Sequence, residues 1–317
     1  MALGLRLRLG RPEIGRYADR FGLPRSTREQ GDGVGVTFLG VASLLIDDGS
    51  TAVLTDGFFS RPSLRRVALG TIAPDEARID ATLARAGIDR VDVVAPVHTH
   101  FDHVMDSAVV AQRTGARLVG GTSVAQVGQG GGLPDEQVEV VVPGAPMRVG
   151  GFRLTWVEGE HCPPDRYPGT ITAPVVPPVR TAAYRCGEAW SILVEHDSGR
   201  TALVQGSAGF RPGALAGHRA EVAYLGIGQL GVQDRAYIEQ YWTETVETVG
   251  ARQVVLIHWD DFFRPLDKPL RALPYLGDDL DATMDVLTRL AGHQGVGRSE
   301  EHTSELQSPM YLVCRLL

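Results

Sequence analysis

Three histidines and one aspartate that can bind metal ions lie within one short stretch of the chain: His98, His100, Asp102 and His103. They directly follow an apolar run, residues 91–95, that is typical of a buried strand. Imidazole nitrogens and carboxylate oxygens are ligands that Zn²⁺ accepts. A loop that exposes four solvated side chains is the alternative. This spacing at the end of a strand favours the metal site.

The spacing within this motif indicates two ions. His98 and His100 are two residues apart, so on an extended segment they point to the same side and can bind one ion. Asp102 and His103 begin the next predicted helix and face elsewhere, which suits a second ion close by. A two-metal site needs about three protein ligands per ion, so further ligands must come from other strand ends.

Two later histidines occupy suitable positions. His161 follows a predicted strand over 152–158, and His258 follows a predicted strand over 253–257. A lone histidine is more often structural than a ligand, and neither residue would indicate a metal site by itself. The first motif makes both of them candidate ligands.

These residues resemble the metallo-β-lactamase superfamily over about residues 33 to 265. The resemblance rests on the HxHxDH motif, on the two later histidines, and on Asp56, which matches the early aspartate that orients the family's site. It implies an α+β fold with four layers, an αββα sandwich of two packed mixed sheets with outer helices. It also implies two divalent metal ions, usually zinc, in the cleft between the sheet edges. The first ion would be bound by His98, His100 and His161, and the second by Asp102, His103 and His258.

One position departs from the family pattern. Several members have a metal-bridging aspartate where this chain has Ser207, in the run 202–210. Losing this carboxylate removes one negative charge between two dications, so the second ion should bind more weakly. A serine here also resembles the third subclass of true metallo-β-lactamases. The departure argues against glyoxalase-type and tRNA-processing activities.

The resemblance implies a reaction in which a metal-bound hydroxide attacks a carbonyl or phosphoryl centre, with Asp102 as the catalytic residue that orients the nucleophile and transfers a proton. We expect a small ester, lactone, amide or phosphodiester substrate. Candidate substrate contacts are Tyr167 and Tyr184 in the proline-rich segment 162–189, and Trp259 and Asp260 beside His258. A packing role is the alternative for each of them.

Three other interpretations remain open. Ser207 allows a true β-lactamase, although no export signal is evident for a substrate met outside the cytoplasm. The missing bridging carboxylate allows a non-catalytic metal-binding scaffold. The GxGxxG run at 226–231 has the form of a dinucleotide-binding turn. No βαβ unit with an acidic partner follows it cleanly, so a glycine loop beside the metal cleft is the better interpretation.

Iron and manganese are the alternatives to zinc.

Strands and helices interleave along the chain in a pattern that indicates two packed sheets. Strands are predicted over 34–39, 42–47, 51–55, 91–97, 117–120, 138–142, 152–158, 190–196, 201–205, 222–225 and 253–257. Helices are predicted over 74–86, 104–113 and 234–249, with a last helix along Leu280, Met284, Leu287 and Leu290. We expect one domain over 33–297, preceded by an arginine-rich extension over 1–32. Residues 298–317 resemble the translation of a sequencing adapter, and we treat them as not native.

Composition restricts the partners. The chain has 317 residues and a net charge of −7 without a basic block, which argues against nucleic acid as a ligand. Its three cysteines form no disulfide framework, and no apolar run approaches the roughly 20 residues that a membrane span needs. We therefore expect a soluble cytoplasmic protein that acts on a small molecule, without a membrane partner. The oligomeric state does not follow from these features.

Overall fold

The computed structural model describes residues 8–17 and 33–294, together with the backbone of residues 313–315. Its strands are, in chain order, β1 (Gly35–Phe38), β2 (Leu44–Asp47), β3 (Ala52–Thr55), β4 (Val93–Ala95), β5 (Arg117–Gly120), β6 (Val138–Val140), β7 (Pro146–Val149), β8 (Phe152–Glu158), β9 (Trp190–His196), β10 (Thr201–Gln205), β11 (Val222–Gly226), β12 (Gln253–Ile257) and β13 (Val313–Arg315). Its α-helices are α1 (Leu64–Leu69), α2 (Glu76–Ala86), α3 (Phe101–Val104), α4 (Ser107–Thr114), α5 (Thr122–Gly130), α6 (Arg235–Trp242) and α7 (Leu280–Gln294).

The strands form two mixed sheets. The first has the order β13-β1-β2-β3-β4-β5-β6, and the second has the order β12-β11-β10-β9-β8-β7. In the first sheet β3, β4, β5 and β6 are parallel, while β1 and β2 are antiparallel to their neighbours. In the second sheet β10, β11 and β12 are parallel, and β7 to β10 alternate in direction.

Side-chain alternation places the helices outside the two sheets. Val93 and Ala95 of β4 point into the core shared with the second sheet, whereas Val94 points into a separate core. That separate core contains Ile79 of α2 and Val110 of α4. Apolar residues of α6 and α7 pack on the second sheet instead. The layers therefore run helix, sheet, sheet, helix, and the predicted αββα sandwich is confirmed.

Several elements differ from the sequence-based expectation. The predicted strands 117–120, 152–158, 190–196, 201–205 and 253–257 have the predicted bounds, but β7, β13, α1 and α5 were not predicted. The predicted helix 104–113 is two helices, α3 and α4. The predicted helix 234–249 is α6, which Asp234 caps, followed by a π-helical turn over Thr243–Glu247. Short 3₁₀ turns occur at Ile14–Tyr17, Asp135–Gln137, Thr181–Ala183 and Leu230–Val232.

The described part of the N-terminal extension packs against late parts of the chain. Arg11 donates to the Asp261 carboxylate at 2.9 Å, and the Tyr17 hydroxyl donates to Asp281 at 2.6 Å. Of residues 298–317, the structure describes the backbone of β13, which pairs antiparallel with β1. The domain bounds and the non-native origin of this tail remain predictions. Among the described helices, none combines the length and apolarity that crossing a bilayer requires.

Candidate metal centre

The predicted ligands follow strands that end at the same side of the molecule. His98 follows β4, and Asp56 follows the parallel neighbour β3. His161 and His258 follow β8 and β12, which run in the same direction as β10. Since strands that run in one direction end at one edge, residues far apart in sequence converge there. The structure thereby brings together all six predicted ligands in two groups.

The first group consists of His98, His100 and His161. One ring nitrogen of each lies within 4.8 Å of the others. His98 Nε2 and His100 Nδ1 are 3.2 Å apart, and the ring centroids of His100 and His161 are 4.5 Å apart. Two nitrogens bound to one tetrahedral zinc ion at about 2.0–2.1 Å lie about 3.3 Å apart. The donor set and its spacing therefore fit zinc.

The second group consists of Asp102, His103 and His258. His103 Nε2 lies 3.2 Å from His258 Nε2, and the Asp102 carboxylate lies 3.8 Å from the former and 3.5 Å from the latter. These three distances form a nearly regular triangle, as the ligands on one face of a tetrahedral ion do. The two groups adjoin, because the ring centroids of His98 and His103 are 3.9 Å apart.

Hydrogen bonds on the outer side of three histidines leave the inner nitrogens free for metal. His103 Nδ1 lies 2.7 Å from the Asp56 carboxylate, and His161 Nδ1 lies 2.7 Å from the Cys162 carbonyl oxygen. His100 Nε2 lies 3.1 Å from the Asp165 carboxylate. Carboxylate and carbonyl oxygens accept hydrogen bonds, so the ring nitrogen that faces each of them carries the proton. The other nitrogen of each neutral ring then carries the lone pair.

Burial and the neighbouring side chains favour neutral imidazoles in the first group. Burial, together with the neighbouring histidines, holds the pKa of His98 well below its ordinary value. Burial, with a contribution from His100, lowers the pKa of His161 to about 4. A neutral imidazole is the form that binds metal, so this group needs no proton release at neutral pH.

The second group pairs an ionised carboxylate with a histidine that holds its proton more tightly than usual. Burial opposes protonation of His103, but Asp56 and Asp102 outweigh it and raise the pKa of His103. Burial disfavours the Asp102 carboxylate, yet His103 and His258 outweigh it and lower the pKa of Asp102. Asp102 is therefore ionised at neutral pH, as a metal ligand must be.

Asp56, which the sequence predicts to orient the site, contacts the His103 ring. It is fully buried, and its second carboxylate oxygen accepts a hydrogen bond from the Val97 amide at 2.9 Å. It thus connects the His103 ring to the backbone just before the motif. The backbone of Asp56 itself has φ of +54°.

Substituting Asp56→Asn should weaken zinc at the second group by about 10–100-fold, because the His103 ring loses its anionic partner. Chelator competition with zinc measures this affinity. The exposed Asp197→Asn, at the turn between β9 and β10, serves as the matched control. Equal affinities in the two variants would show that Asp56 does not orient His103.

Ser207 lies beside the first group, after β10. Its hydroxyl accepts a hydrogen bond from the Cys162 amide at 3.0 Å, directly after His161. The Ser207 carbonyl accepts from the Gln205 side chain and from the Tyr241 hydroxyl. Ser207 therefore supports the backbone that carries His161, and its place at a metal bridge remains a prediction.

The glycine run at 226–231 packs against the site. A Cβ atom on Gly228 would lie 2.6 Å from His258 Nδ1, and one on Gly226 would lie 2.7 Å from the backbone of Gly206. One on Gly231 would lie 2.0 Å from the Asp279 carbonyl oxygen. These contacts require glycine for close packing and support the interpretation of a loop beside the metal cleft.

The four candidate substrate contacts separate into two kinds. Tyr167 is partly buried, and its ring centroid lies 6.5 Å from that of His100. Tyr184 is 0% exposed in the core under the proline-rich segment, and Trp259 is 9% exposed against Phe38. Asp260 is also fully buried. The expectation of substrate contact is therefore corrected for Tyr184, Trp259 and Asp260, whose side chains are taken up by packing or by ion pairing.

Two residues at the site were missed by sequence reasoning. Asp165, in the proline-rich segment, contacts His100. The sequence indicated that this segment is functional, but it did not indicate that Asp165 contacts the site. Phe262 is partly buried, and its ring stands perpendicular to that of His258 with 5.9 Å between the centroids. Phe262 follows His258 by four residues, and no local pattern distinguishes it from a core aromatic residue.

Comparisons with known proteins indicate the family of this chain. A sequence model described as "Metallo-beta-lactamase superfamily" matches residues 36–204. A UPF0173 metal-dependent hydrolase from Rubrobacter xylanophilus is 26% identical over 235 residues, which cover 73% of this chain and 83% of that protein. One from Methanopyrus kandleri is 32% identical over 127 residues, covering 40% of this chain and 46% of that protein. The chain thus spans about half the length of the latter relative.

Among solved structures, a possible metal-dependent hydrolase from Veillonella parvula is similar with a TM-score of 0.53 and 16% identity. The alignment covers 89% of this chain and all of that chain (100%). At this identity the likeness concerns the fold alone, and it agrees with the two-sheet architecture. With a family model that covers more than half of the sequence, the chain belongs to the metallo-β-lactamase superfamily.

Proposed function

We propose that the protein is a dinuclear zinc hydrolase that acts on a small ester, lactone, amide or phosphodiester. The observation that carries this proposal is the meeting of two complete ligand groups, with donor atoms spaced for tetrahedral zinc. The names of the relatives, metal-dependent hydrolases, support the same class of reaction. We also propose a cytoplasmic location and a small-molecule substrate.

Two zinc ions would supply Lewis acidity and an activated water at neutral pH. The chain's own residues supply the rest. Asp102 is a buried, ionised carboxylate whose side chain retains 12% exposure, so it reaches solvent at the site. In the proposed reaction this residue orients the attacking water and accepts a hydrogen bond from it.

The aromatic side chains around the site suggest which substrates fit. Tyr167 stands beside His100 of the first group, and Phe262 stands beside His258 of the second. Phe262 also contacts Phe101 and Phe263, with ring centroids 6.2 and 4.4 Å away. A partly exposed aromatic wall favours a substrate with an apolar group next to the scissile bond.

Zinc titration combined with a substrate panel tests the proposal. The panel contains chromogenic esters with short and aromatic acyl groups, lactones, bis-p-nitrophenyl phosphate and nitrocefin. We expect two zinc ions per chain and turnover of esters or lactones. Fewer than one bound ion per chain would overturn it. Turnover of nitrocefin alone would favour the true β-lactamase, and a fully loaded but inert protein would favour the non-catalytic scaffold.

Substituting Ser207→Asp should tighten zinc binding at the second group, because it restores an anion between two dications. Chelator competition measures the effect, with Ser207→Asn as the neutral control of similar size. The same affinity in both variants would show that residue 207 does not face the metals. A loss of the first ion in both variants would show that the hydrogen bond to Cys162 is its main role.

A further inference from the structure

We propose that Asp165, in the proline-rich segment 162–189, is a positioning residue that fixes the ring of His100 and couples this segment to the metal centre. The inference deepens the proposed function and rests on it, because His100 must be a metal ligand. The resemblance on which the ligand assignment was based gives no role to this aspartate.

The contact itself determines which nitrogen of His100 can bind metal. Asp165 Oδ1 lies 3.1 Å from His100 Nε2, and the two side chains are only 22% and 10% exposed. A carboxylate oxygen at this distance accepts a hydrogen bond from the ring, so Nε2 is assigned the hydrogen. The lone pair of the neutral ring then lies on Nδ1, which faces His98 Nε2 at 3.2 Å.

The same oxygen shapes the segment around the site. Asp165 Oδ1 also accepts a hydrogen bond from the Tyr167 amide at 2.9 Å, which forms a tight local turn. The Tyr167 carbonyl oxygen in turn accepts from the Cys186 amide at 2.8 Å. One carboxylate oxygen therefore joins the His100 ring to the turn that holds Tyr167.

The motif is connected to the other end of the segment as well. The Thr99 amide donates to the Cys186 carbonyl oxygen at 2.8 Å, and the Thr99 hydroxyl donates to the Arg185 carbonyl oxygen at 2.5 Å. Residues 165–167 and 185–186 thus hold both sides of the short stretch from Thr99 to His100. A metal ion bound to His100 would polarise its Nε2–H and strengthen the bond to Asp165.

The coupling predicts an effect in each direction. Zinc binding should increase the protection of backbone amides 165–167 against hydrogen exchange, since the ion favours the His100 orientation that Asp165 holds. Loss of the Asp165 carboxylate should weaken zinc at the first group by about 10–100-fold, the usual cost of removing an orienting partner. Zinc at the second group should bind as before.

The experiment uses the full chain loaded with zinc. Two variants, Asp165→Asn and Asp165→Ala, are compared with wild type by chelator competition and by ¹⁵N NMR of the His100 ring. The asparagine variant keeps an oxygen that can accept from the Tyr167 amide, so it preserves the turn while removing the charge. In the wild type we expect zinc on Nδ1 of His100 and a proton on Nε2. The affinity for the first ion should decrease from wild type to Asp165→Asn and further to Asp165→Ala.

Glu188→Gln is the matched control. Glu188 belongs to the same segment, and its carboxylate accepts from the amides of Thr122 and Ser123 at the start of α5 rather than from a ligand ring. If the segment acted only by general packing, this variant would weaken the first ion as much as Asp165→Asn does. We expect wild-type affinity in Glu188→Gln.

Two outcomes would overturn the inference. A proton on Nδ1 of His100 in the loaded wild type contradicts it whatever the variants do. Unchanged first-ion affinity in Asp165→Ala contradicts it when His98→Ala loses that ion, and the proposed function then stands. If His98→Ala also keeps both ions, the ligand assignment and the proposed function fail together.

Discussion

Replacing His98 or His258 with alanine is expected to lower kcat/KM for the best substrate by at least about 1000-fold, or about 4 kcal/mol of transition-state stabilisation. Each substitution removes one donor from a different ligand group, and the remaining two cannot hold an ion in its geometry. Metal analysis of the purified variants should show one ion lost or weakened in each case. The fold should persist, since both residues follow the ends of strands.

His293→Ala is the control for this experiment. His293 is an exposed residue near the end of α7, distant in sequence from every ligand. We expect it to retain wild-type turnover and two ions per chain. Wild-type kcat/KM in His98→Ala would refute the first ligand group, and wild-type kcat/KM in His258→Ala would refute the second.

The parts of this site that the sequence predicts are those with a local signal. The HxHxDH motif combines an apolar strand with ligand residues at period two, so both the element and the side-chain direction follow from about ten neighbouring residues. His161 and His258 were predictable because each comes directly after a strand, β8 and β12, whose bounds were also predicted correctly. The convergence of these strands at one edge was implied by the family resemblance.

The parts that were missed depend on contacts between distant residues. α5 has a sequence rich in glycine and polar residues, and the carboxylate that accepts from its first amides belongs to Glu188, over sixty residues later. Asp165 meets His100 across a similar separation. Tyr184 was taken for a substrate contact because it lies in an irregular segment, yet that segment folds over a core and buries it completely.

Asp260 shows the same limit and leads to the second prediction. It was a candidate substrate contact because it lies two residues after His258, but it forms an ion pair with Arg61 at 2.7 Å, and both side chains are 0% exposed. Two other groups depend on this pair. Asp260 Oδ1 accepts from the Val41 amide at 2.8 Å, and the Val41 carbonyl oxygen accepts from the His258 amide at 2.6 Å.

Substituting Asp260→Ala is expected to reduce the free energy of unfolding by about 3–5 kcal/mol, because it leaves the Arg61 guanidinium buried without a counter-charge. It should also weaken zinc at the second group. Val41 has φ of +55°, a conformation that a β-branched residue rarely adopts, and Asp260 helps to hold it there. Urea unfolding of the zinc-free protein measures the first effect, and chelator competition measures the second.

Two comparisons separate the charge effect from simple loss of contacts. Asp267→Ala removes an exposed carboxylate, 62% accessible, whose pairing with Lys268 should contribute less than about 1 kcal/mol. The double variant Asp260→Ala with Arg61→Met removes the unpaired charge and should recover at least about 1 kcal/mol relative to Asp260→Ala alone. Purely additive losses in the double variant would show that an uncompensated guanidinium is not the cause. The acceptor of the Val41 amide is missing in both variants, so this part of the loss should remain in the double variant.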